Sequence, residues 1–262
     1  MPFLIEALVV AGMAGLFTSA WGAFKDAPYE GFSRASFWRS VVFSVAILAT
    51  LWAFPNVRAR IEHLRLVEVF FLVMGIERIA IEIYKPCFRR EDQSKYLIPQ
   101  DFSFFGRHVE GDLLLWAIGA AMIALVLGLA RVGTMIASFP GHLAVAAATG
   151  LFICFGGAGK DAPFEGFDAS KFLRSVKVLA VVSPVFWVLG PTPLGLLVFM
   201  YGGLERLIVE SYKTYFTPHP PGKFRRDLPI IDRAFLGWRP ILRVVAAAIV
   251  ATVVGLYVAA VA

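Results

Sequence analysis

The sequence predicts an all-α integral membrane protein of about eight transmembrane helices, arranged as two parallel four-helix tandem repeats. Three observations lead to this fold class: the composition, the length of the apolar segments and an internal duplication. Of the 262 residues, 58% are hydrophobic and only 17% are charged. A soluble surface needs far more polar residues, so this composition indicates a chain that lies largely in lipid.

Eight apolar segments follow one another along the chain. Each is close to the roughly 20 residues that a helix needs to cross a bilayer. The first four are 3–24, 38–55, 66–85 and 111–131, and the second four are 138–158, 172–190, 194–213 and 240–262.

The chain contains an internal duplication. Residues 25–41 and 160–176 are identical at 11 of 17 positions, and both begin Lys-Asp-Ala-Pro, then an aromatic residue, then Glu-Gly-Phe. A second block, Glu-Arg-x-x-x-Glu-x-Tyr-Lys, occupies 77–85 and returns at 205–213. Because the blocks keep their order, we divide the chain into two membrane repeats. These repeats are 1–131 and 132–262.

Lysine and arginine concentrate on one predicted side of the membrane. With four spans in each repeat, both copies have the same orientation, which is the parallel arrangement. The segments 24–38, 85–110, 159–172 and 213–239 hold 15 Lys and Arg residues, against four on the opposite side. The positive-inside rule then predicts a plasma membrane protein, in a bacterium the inner membrane, with cytoplasmic motif loops and both termini outside.

The Lys-Asp-Ala-Pro motif combines ionisable side chains with two residues that shape the backbone. Proline fixes one torsion and glycine permits turn angles closed to other residues, so the first helix is expected to end near Lys25. The charged groups would then lie at the membrane mouth, where they bind an ion or a headgroup, or pair with one another in a rigid turn. They are Lys25, Asp26 and Glu30 in the first repeat and Lys160, Asp161 and Glu165 in the second.

The Glu-Arg block lies deeper in the membrane. Glu77 and Arg78 precede the predicted end of their helix by about two turns, a depth at which ionisable groups are costly and usually face the bundle interior. Helical spacing arranges the block as two neighbouring stripes. These are Arg78, Glu82 and Lys85 beside Glu77 and Tyr84, and in the second copy Arg206, Glu210 and Lys213 beside Glu205 and Tyr212.

Other basic residues indicate contact with lipid. Arg39 and Arg174 open the second helix of each repeat, where they either reach lipid phosphates or pair with Glu82 and Glu210. Short basic loops between apolar runs favour anionic headgroups as the partner, rather than nucleic acid. The loop residues are Arg89, Arg90, Lys95 and Arg107, with Lys223, Arg225, Arg226 and Arg233 as their counterparts. A homo-oligomer is compatible with the sequence.

Three functions fit these features. A transporter, channel or flippase would pass a small ion or a phosphate-bearing or lipidic anion between the repeats. A membrane-embedded enzyme of lipid or isoprenoid metabolism would hold Mg²⁺ with Asp26, Glu30 and their copies, and would act on a phosphorylated headgroup. A scaffold would use the charges as a brace, since four cations balance four carboxylates in each repeat.

Both copies of the charge sets are intact, and this favours the transport hypothesis, because a duplicated enzyme needs only one working site. The four histidines and two cysteines show no ligand spacing. The sequence therefore predicts neither a metal site nor a cofactor.

Overall fold

The computed structural model describes residues 2–90, 92–104, 106–216 and 232–262, without the side chains of Phe104 and Glu165, and it is 78% helical. Up to residue 130 the helices are α1 (Pro2–Glu30), α2 (Arg34–Trp52), α3 (Pro55–Ile61), α4 (Leu66–Cys87) and α5 (Asp112–Ala130). Those that follow are α6 (Phe139–Glu165), α7 (Ala169–Phe172), α8 (Arg174–Val182), α9 (Pro184–Trp187), α10 (Leu194–Tyr215) and α11 (Arg239–Val261). A 3₁₀ helix over Ala234–Trp238 leads into α11. The all-α fold class is confirmed.

Two small antiparallel sheets join the connecting segments. β1 (Ser103–Phe104) pairs with β2 (Arg107–His108) in the connection between α4 and α5. β3 (Met135–Ile136) pairs with β4 (Thr192–Pro193), with Met135 opposite Pro193. The second sheet therefore fixes the start of α10 against the connection between α5 and α6.

Five helices in the described part of the chain are long and apolar enough to cross a membrane. They are Pro2–Glu30, Arg34–Trp52, Asp112–Ala130, Phe139–Phe164 and Ala234–Val261. α4 and α10 each have 22 residues, but both carry a Glu-Arg block within the helix. The segment expected as one span over 172–190 is broken into short helices, the last of which begins at Pro184. Proline lacks the N–H that a continuous helix would use at that position.

α4 occupies the centre of the fold. Every residue from Val67 to Glu77 is buried, and the helix contacts α1, α2, α5, α10 and α11. A helix that is apolar and buried all round is a core helix rather than a surface helix. Glu77, at the end of this stretch, is therefore held by packing on every side, whereas Glu82 and Tyr84 further along α4 are exposed.

The backbones of α4 and α10 meet at two glycines. A Cβ atom on Gly75 would lie 1.9 Å from the Phe199 carbonyl oxygen, and one on Gly203 would lie 2.1 Å from the Phe71 carbonyl oxygen. No side chain fits at such distances, so both positions require glycine. Small residues are the usual means by which membrane helices approach closely.

α1 continues past Lys25, which corrects the expected helix end. It runs to Glu30 and stops at Gly31, whose φ is +78°. Pro28 lies within the last turns, and the Phe24 carbonyl oxygen four residues before it accepts from Arg239 Nε at 3.1 Å. A side chain thus replaces the N–H that proline lacks, and the helix is not broken. α6 behaves alike, running to Glu165 before Gly166 at φ +81°.

Candidate functional site

The two Glu-Arg pairs exchange partners across the crossing of α4 and α10. Arg206 Nη1 donates to Glu77 Oε2 at 2.9 Å, and Arg78 Nη1 donates to Glu205 Oε2. Both glutamates are fully buried. A buried charge needs a close partner of opposite sign, so each of the two helices neutralises the buried carboxylate of the other.

The second oxygen differs between the two glutamates. Ser175 Oγ donates to Glu205 Oε1 at 2.6 Å, so both oxygens of Glu205 are engaged. Thr18 Oγ1 donates at 3.4 Å to Glu77 Oε2, the atom that Arg206 already contacts. Glu77 Oε1 is buried and has no hydrogen-bond partner among the described residues. This oxygen can accept a hydrogen bond from a ligand or from water.

A polar cavity of about 160 Å³ lies between α1, α2 and α4. Its wall includes predicted site residues from distant parts of the sequence, namely Lys25, Asp26, Glu30, Arg39, Glu77, Lys85 and Arg206. Trp21 is also in the wall, and its indole Nε1 is buried with no partner in the described part of the chain. Four of the predicted residues are cationic and three are carboxylates, which gives the lining a formal charge that favours an anion.

Lys25 lies beside both an acid and an aromatic ring. Its Nζ is 3.5 Å from Asp26 Oδ1 and 4.3 Å from the centre of the Trp21 ring. Lys213, from α10, approaches the same ring at 5.8 Å. Ammonium groups over an indole face are attracted by its π electrons, so Trp21 draws two cations towards this wall of the cavity.

The connection between α4 and α5 closes over the end of α1. Glu30 Oε1 accepts from Tyr96 Oη at 3.1 Å and lies 3.6 Å from Lys95 Nζ. Lys95 was expected to contact lipid, whereas here it pairs with Glu30. In the same connection, hydrogen bonds from the Ser94 N–H and hydroxyl hold the pKa of Asp92 below its usual range.

Glu82 and Glu210 pair with lysines rather than with the expected arginines. Lys160 Nζ lies 3.6 Å from Glu82 Oε2 and 3.5 Å from Gln100 Oε1, so the second Lys-Asp-Ala-Pro motif contacts residues from the first half of the chain. Lys213 Nζ lies 3.7 Å from Glu210 Oε2. Arg39 and Arg174, for which the sequence suggests either lipid phosphates or these two acids as partners, are both exposed. Lys213 reaches Glu210 from one turn further along the same helix.

Other predicted residues lie outside the cavity wall. Tyr84 and Tyr212 are exposed, and Tyr212 stacks on Phe216 with ring centres 5.9 Å apart. Asp161 is half-buried. The side chain of Glu165 and the basic residues between 223 and 226 lie outside the described part of the chain.

Several residues of the site were not found by the sequence analysis. They are Thr18, Trp21, Ser40, Tyr96, Ser175, Gly75 and Gly203. A signal existed for the glycines, since each precedes the glutamate of its block by two residues. Among the described residues no group of three or more His, Cys, Asp or Glu could hold a metal ion. Asp26 and Glu30, which the enzyme hypothesis assigns to Mg²⁺, both have lysine partners.

The chain matches no family model, and no curated protein or solved structure is significantly similar to it.

Proposed function

We propose that this protein is a multi-pass membrane transporter, channel or flippase whose charged site faces the cytoplasm and takes a small or phosphate-bearing anion. The cavity between α1, α2 and α4 carries the proposal, because it gathers cations and carboxylates from distant segments around one polar space.

The lining favours an anion with hydrogen-bonding groups. Arg39 stands exposed at the mouth on α2, and its planar guanidinium matches the oxygens of a phosphate. Lys85 and Arg206 add positive charge from α4 and α10. Glu77 Oε1 can accept from a hydroxyl or amine on the ligand. The exchanged Glu-Arg pairs have a supporting role in this scheme, since they hold α4 and α10 together at the cavity wall.

In this proposal the chain spans the membrane eight times, as the parallel repeats 1–131 and 132–262. Matched glycine contacts support it: a Cβ on Gly15 would lie 2.4 Å from the Ser40 carbonyl oxygen, and one on Gly150 would lie 3.0 Å from that of Ser175. The two glycines are 135 residues apart, as are the two serines. The same packing thus recurs in both halves.

α4 and α10 are the central spans of this arrangement. Their charged pairs lie inside the bundle and do not face lipid. The interior of a bundle is where membrane proteins tolerate ionisable groups. The basic connections lie in the cytoplasm against anionic headgroups, and both termini are outside.

Reconstitution tests the proposed function. Vesicles of phosphatidylcholine containing the protein are assayed for uptake of radiolabelled inorganic phosphate, and separately for transbilayer movement of a fluorescent phosphatidic acid. We expect at least one probe to move. Arg39→Gln should slow that movement roughly tenfold, because it removes a charged contact to the anion.

Arg174→Gln is the matched control. Arg174 is the counterpart of Arg39 in the second repeat and is equally exposed, but it does not line the cavity. Movement at the wild-type rate is expected for this variant. If neither probe moves, the proposed transport function is wrong. If both arginine variants slow movement equally, the cavity is not the anion site.

A further inference from the structure

A second, apolar cavity of about 190 Å³ lies between α2, α4 and α5. Its wall includes Phe43, Ala46, Ile76, Val126 and Ala130. The one hydroxyl in the wall belongs to Thr50, and its Oγ1 donates to the Ala46 carbonyl oxygen at 2.8 Å. We call this space the apolar cleft. Its lining offers hydrocarbon contacts and no unsatisfied polar group among the described residues.

We call the polar cavity between α1, α2 and α4 the charged cavity. The apolar cleft and the charged cavity share no lining residue among the described residues, but both are lined by residues of α2. Arg39 lines the charged cavity, whereas Phe43, Ala46 and Thr50 line the cleft. These positions follow at i, i+4, i+7 and i+11, so they share one face of the helix. The Arg39 end is the cytoplasmic end in the proposed topology. A charged site at headgroup depth is therefore followed, deeper in the membrane, by an apolar one.

We infer that the two cavities together form the site of one amphiphile, with an anionic phosphate headgroup in the charged cavity and a hydrocarbon chain in the apolar cleft. This inference rests on the proposed function and names its substrate class. Along α2 the charged lining lies near the cytoplasmic end and the apolar lining runs from Phe43 to near the outer end, which is the order of head and chain in a lipid whose headgroup lies at the cytoplasmic side. A free inorganic anion would use the charged cavity and have no need of the cleft.

The exposure of the lining residues favours a hydrocarbon chain that enters the apolar cleft laterally from the bilayer. Phe43, Ala46 and Thr50 of α2 are exposed, Val126 and Leu127 of α5 are half-buried, and Leu51 and Ala130 are buried. The cleft is thus open at the surface of α2 and closed towards the inside of the bundle. A chain can reach it without its headgroup leaving the interface.

Photolabelling in nanodiscs tests the inference. Two probes carry the same diazirine at the end of one acyl chain, and they differ only in the headgroup, phosphatidic acid against phosphatidylcholine. Labelled positions are mapped by mass spectrometry. We expect the phosphatidic acid to label 43–51 and 126–130 roughly tenfold more than phosphatidylcholine does, since charge-assisted contacts hold only its head. At Val254 and Val258, exposed on α11, the two probes should label equally.

Two variants separate the cleft from general lipid contact. Ala46→Trp fills the cleft from an exposed position, and it should abolish the preference for phosphatidic acid at 126–130. Ala49→Trp adds the same bulk at an exposed position on α2 outside the cleft lining, and it should leave the preference intact. Arg39→Gln should reduce the preference by weakening the hold on the head.

The outcomes distinguish this inference from the proposed function. Equal labelling by both probes at the cleft overturns the inference, as does an equal effect of the two tryptophan variants. If inorganic phosphate still crosses the vesicle membrane in that case, the proposed function stands without a lipid substrate. If the cleft shows the headgroup preference and nothing moves, the amphiphile site stands and the transport proposal falls.

Discussion

At the scale of single residues, Ser40 and Ser175 hold equivalent places but have different relations to their glutamates. Ser175 donates to Glu205, whereas Ser40 lines the charged cavity and leaves Glu77 Oε1 without a partner in the described part of the chain. The difference lies in one hydrogen bond. Both oxygens of Glu205 have donors, whereas Oε1 of Glu77, which lies at the charged cavity, has none among the described residues.

Ser175→Ala should destabilise the protein. The substitution leaves Glu205 Oε1 buried without a donor, and a hydrogen bond to a charged group contributes about 1.5–3 kcal/mol. Ser40→Ala is the control, because no comparable bond to Glu77 is lost, and its free energy of unfolding should change by less than about 0.5 kcal/mol. Equilibrium unfolding in mixed micelles measures both. Equal losses would show that the two serines are equivalent in solution.

The sequence predicts which charges are buried better than which charges pair. Helical spacing and depth single out Glu77 and Arg78 without knowledge of the fold. Their partners lie on α10, and the distance between two helices cannot be read from either one. The same holds for Lys160, which pairs with Glu82 of the first repeat. The expected balance of charge is therefore met partly by contacts between residues 1–131 and 132–262, as for Glu77, Glu82 and Glu205, and partly by local pairs such as Lys25 with Asp26.

At the scale of helices, the close crossing of α4 and α10 depends on its glycines. Gly75→Ala would place a methyl group 1.9 Å from the Phe199 carbonyl oxygen. The helices must then separate, which costs at least the 1–3 kcal/mol or so typical of overpacking and also lengthens the exchanged ion pairs. We expect a marked loss of folded, detergent-soluble protein, measured by size-exclusion chromatography and thermal unfolding.

Gly202→Ala is a matched control for this crossing. Gly202 is adjacent to Gly203 on α10, but a Cβ at Gly202 meets no atom within 4 Å. Since alanine is the better helix former by about 1 kcal/mol, this variant should be as stable as the wild type or slightly more so. A loss equal to that of Gly75→Ala would contradict the crossing described above.

Helix ends illustrate what local sequence rules omit. Gly31 and Gly166 were expected to permit turns, and both adopt positive φ. Pro28 was expected to stop α1 early, but Arg239 supplies a donor to the Phe24 carbonyl oxygen. That donor lies more than 200 residues away along the chain. No local rule includes such a contact, which is why the helix end was placed too early.

At the scale of the whole molecule, composition was enough to predict an all-α membrane protein, because lipid exposure imposes its requirement on every span. α4 and α10 are not among the five helices of the described chain that are long and apolar enough to cross a membrane, and both carry the charged Glu-Arg block. The segment 172–190 forms no single long helix, because it is interrupted before Pro184. The eight-span layout therefore needs a direct test of which loops face which side.

Cysteine labelling in intact cells provides that test. Single cysteines replace exposed residues in four connections, namely His63 and Thr134 on the proposed outer side and Glu110 and Ser170 on the proposed cytoplasmic side. A membrane-impermeant maleimide should label the first two in intact cells and the last two only after lysis. The wild-type chain is the background control, because Cys87 and Cys154 are buried.

The decisive comparison is between the two repeats. His63 precedes α4 and Thr134 precedes α6, and both belong to the proposed outer side, whereas Glu110 and Ser170 both belong to the basic side. Parallel repeats require each pair to label alike, because an even number of spans returns the chain to the side on which it began. If His63 is labelled outside and Thr134 inside, the spans are odd in number between them. The two Lys-Asp-Ala-Pro loops would then face opposite sides of the membrane, and the proposed parallel arrangement would be wrong.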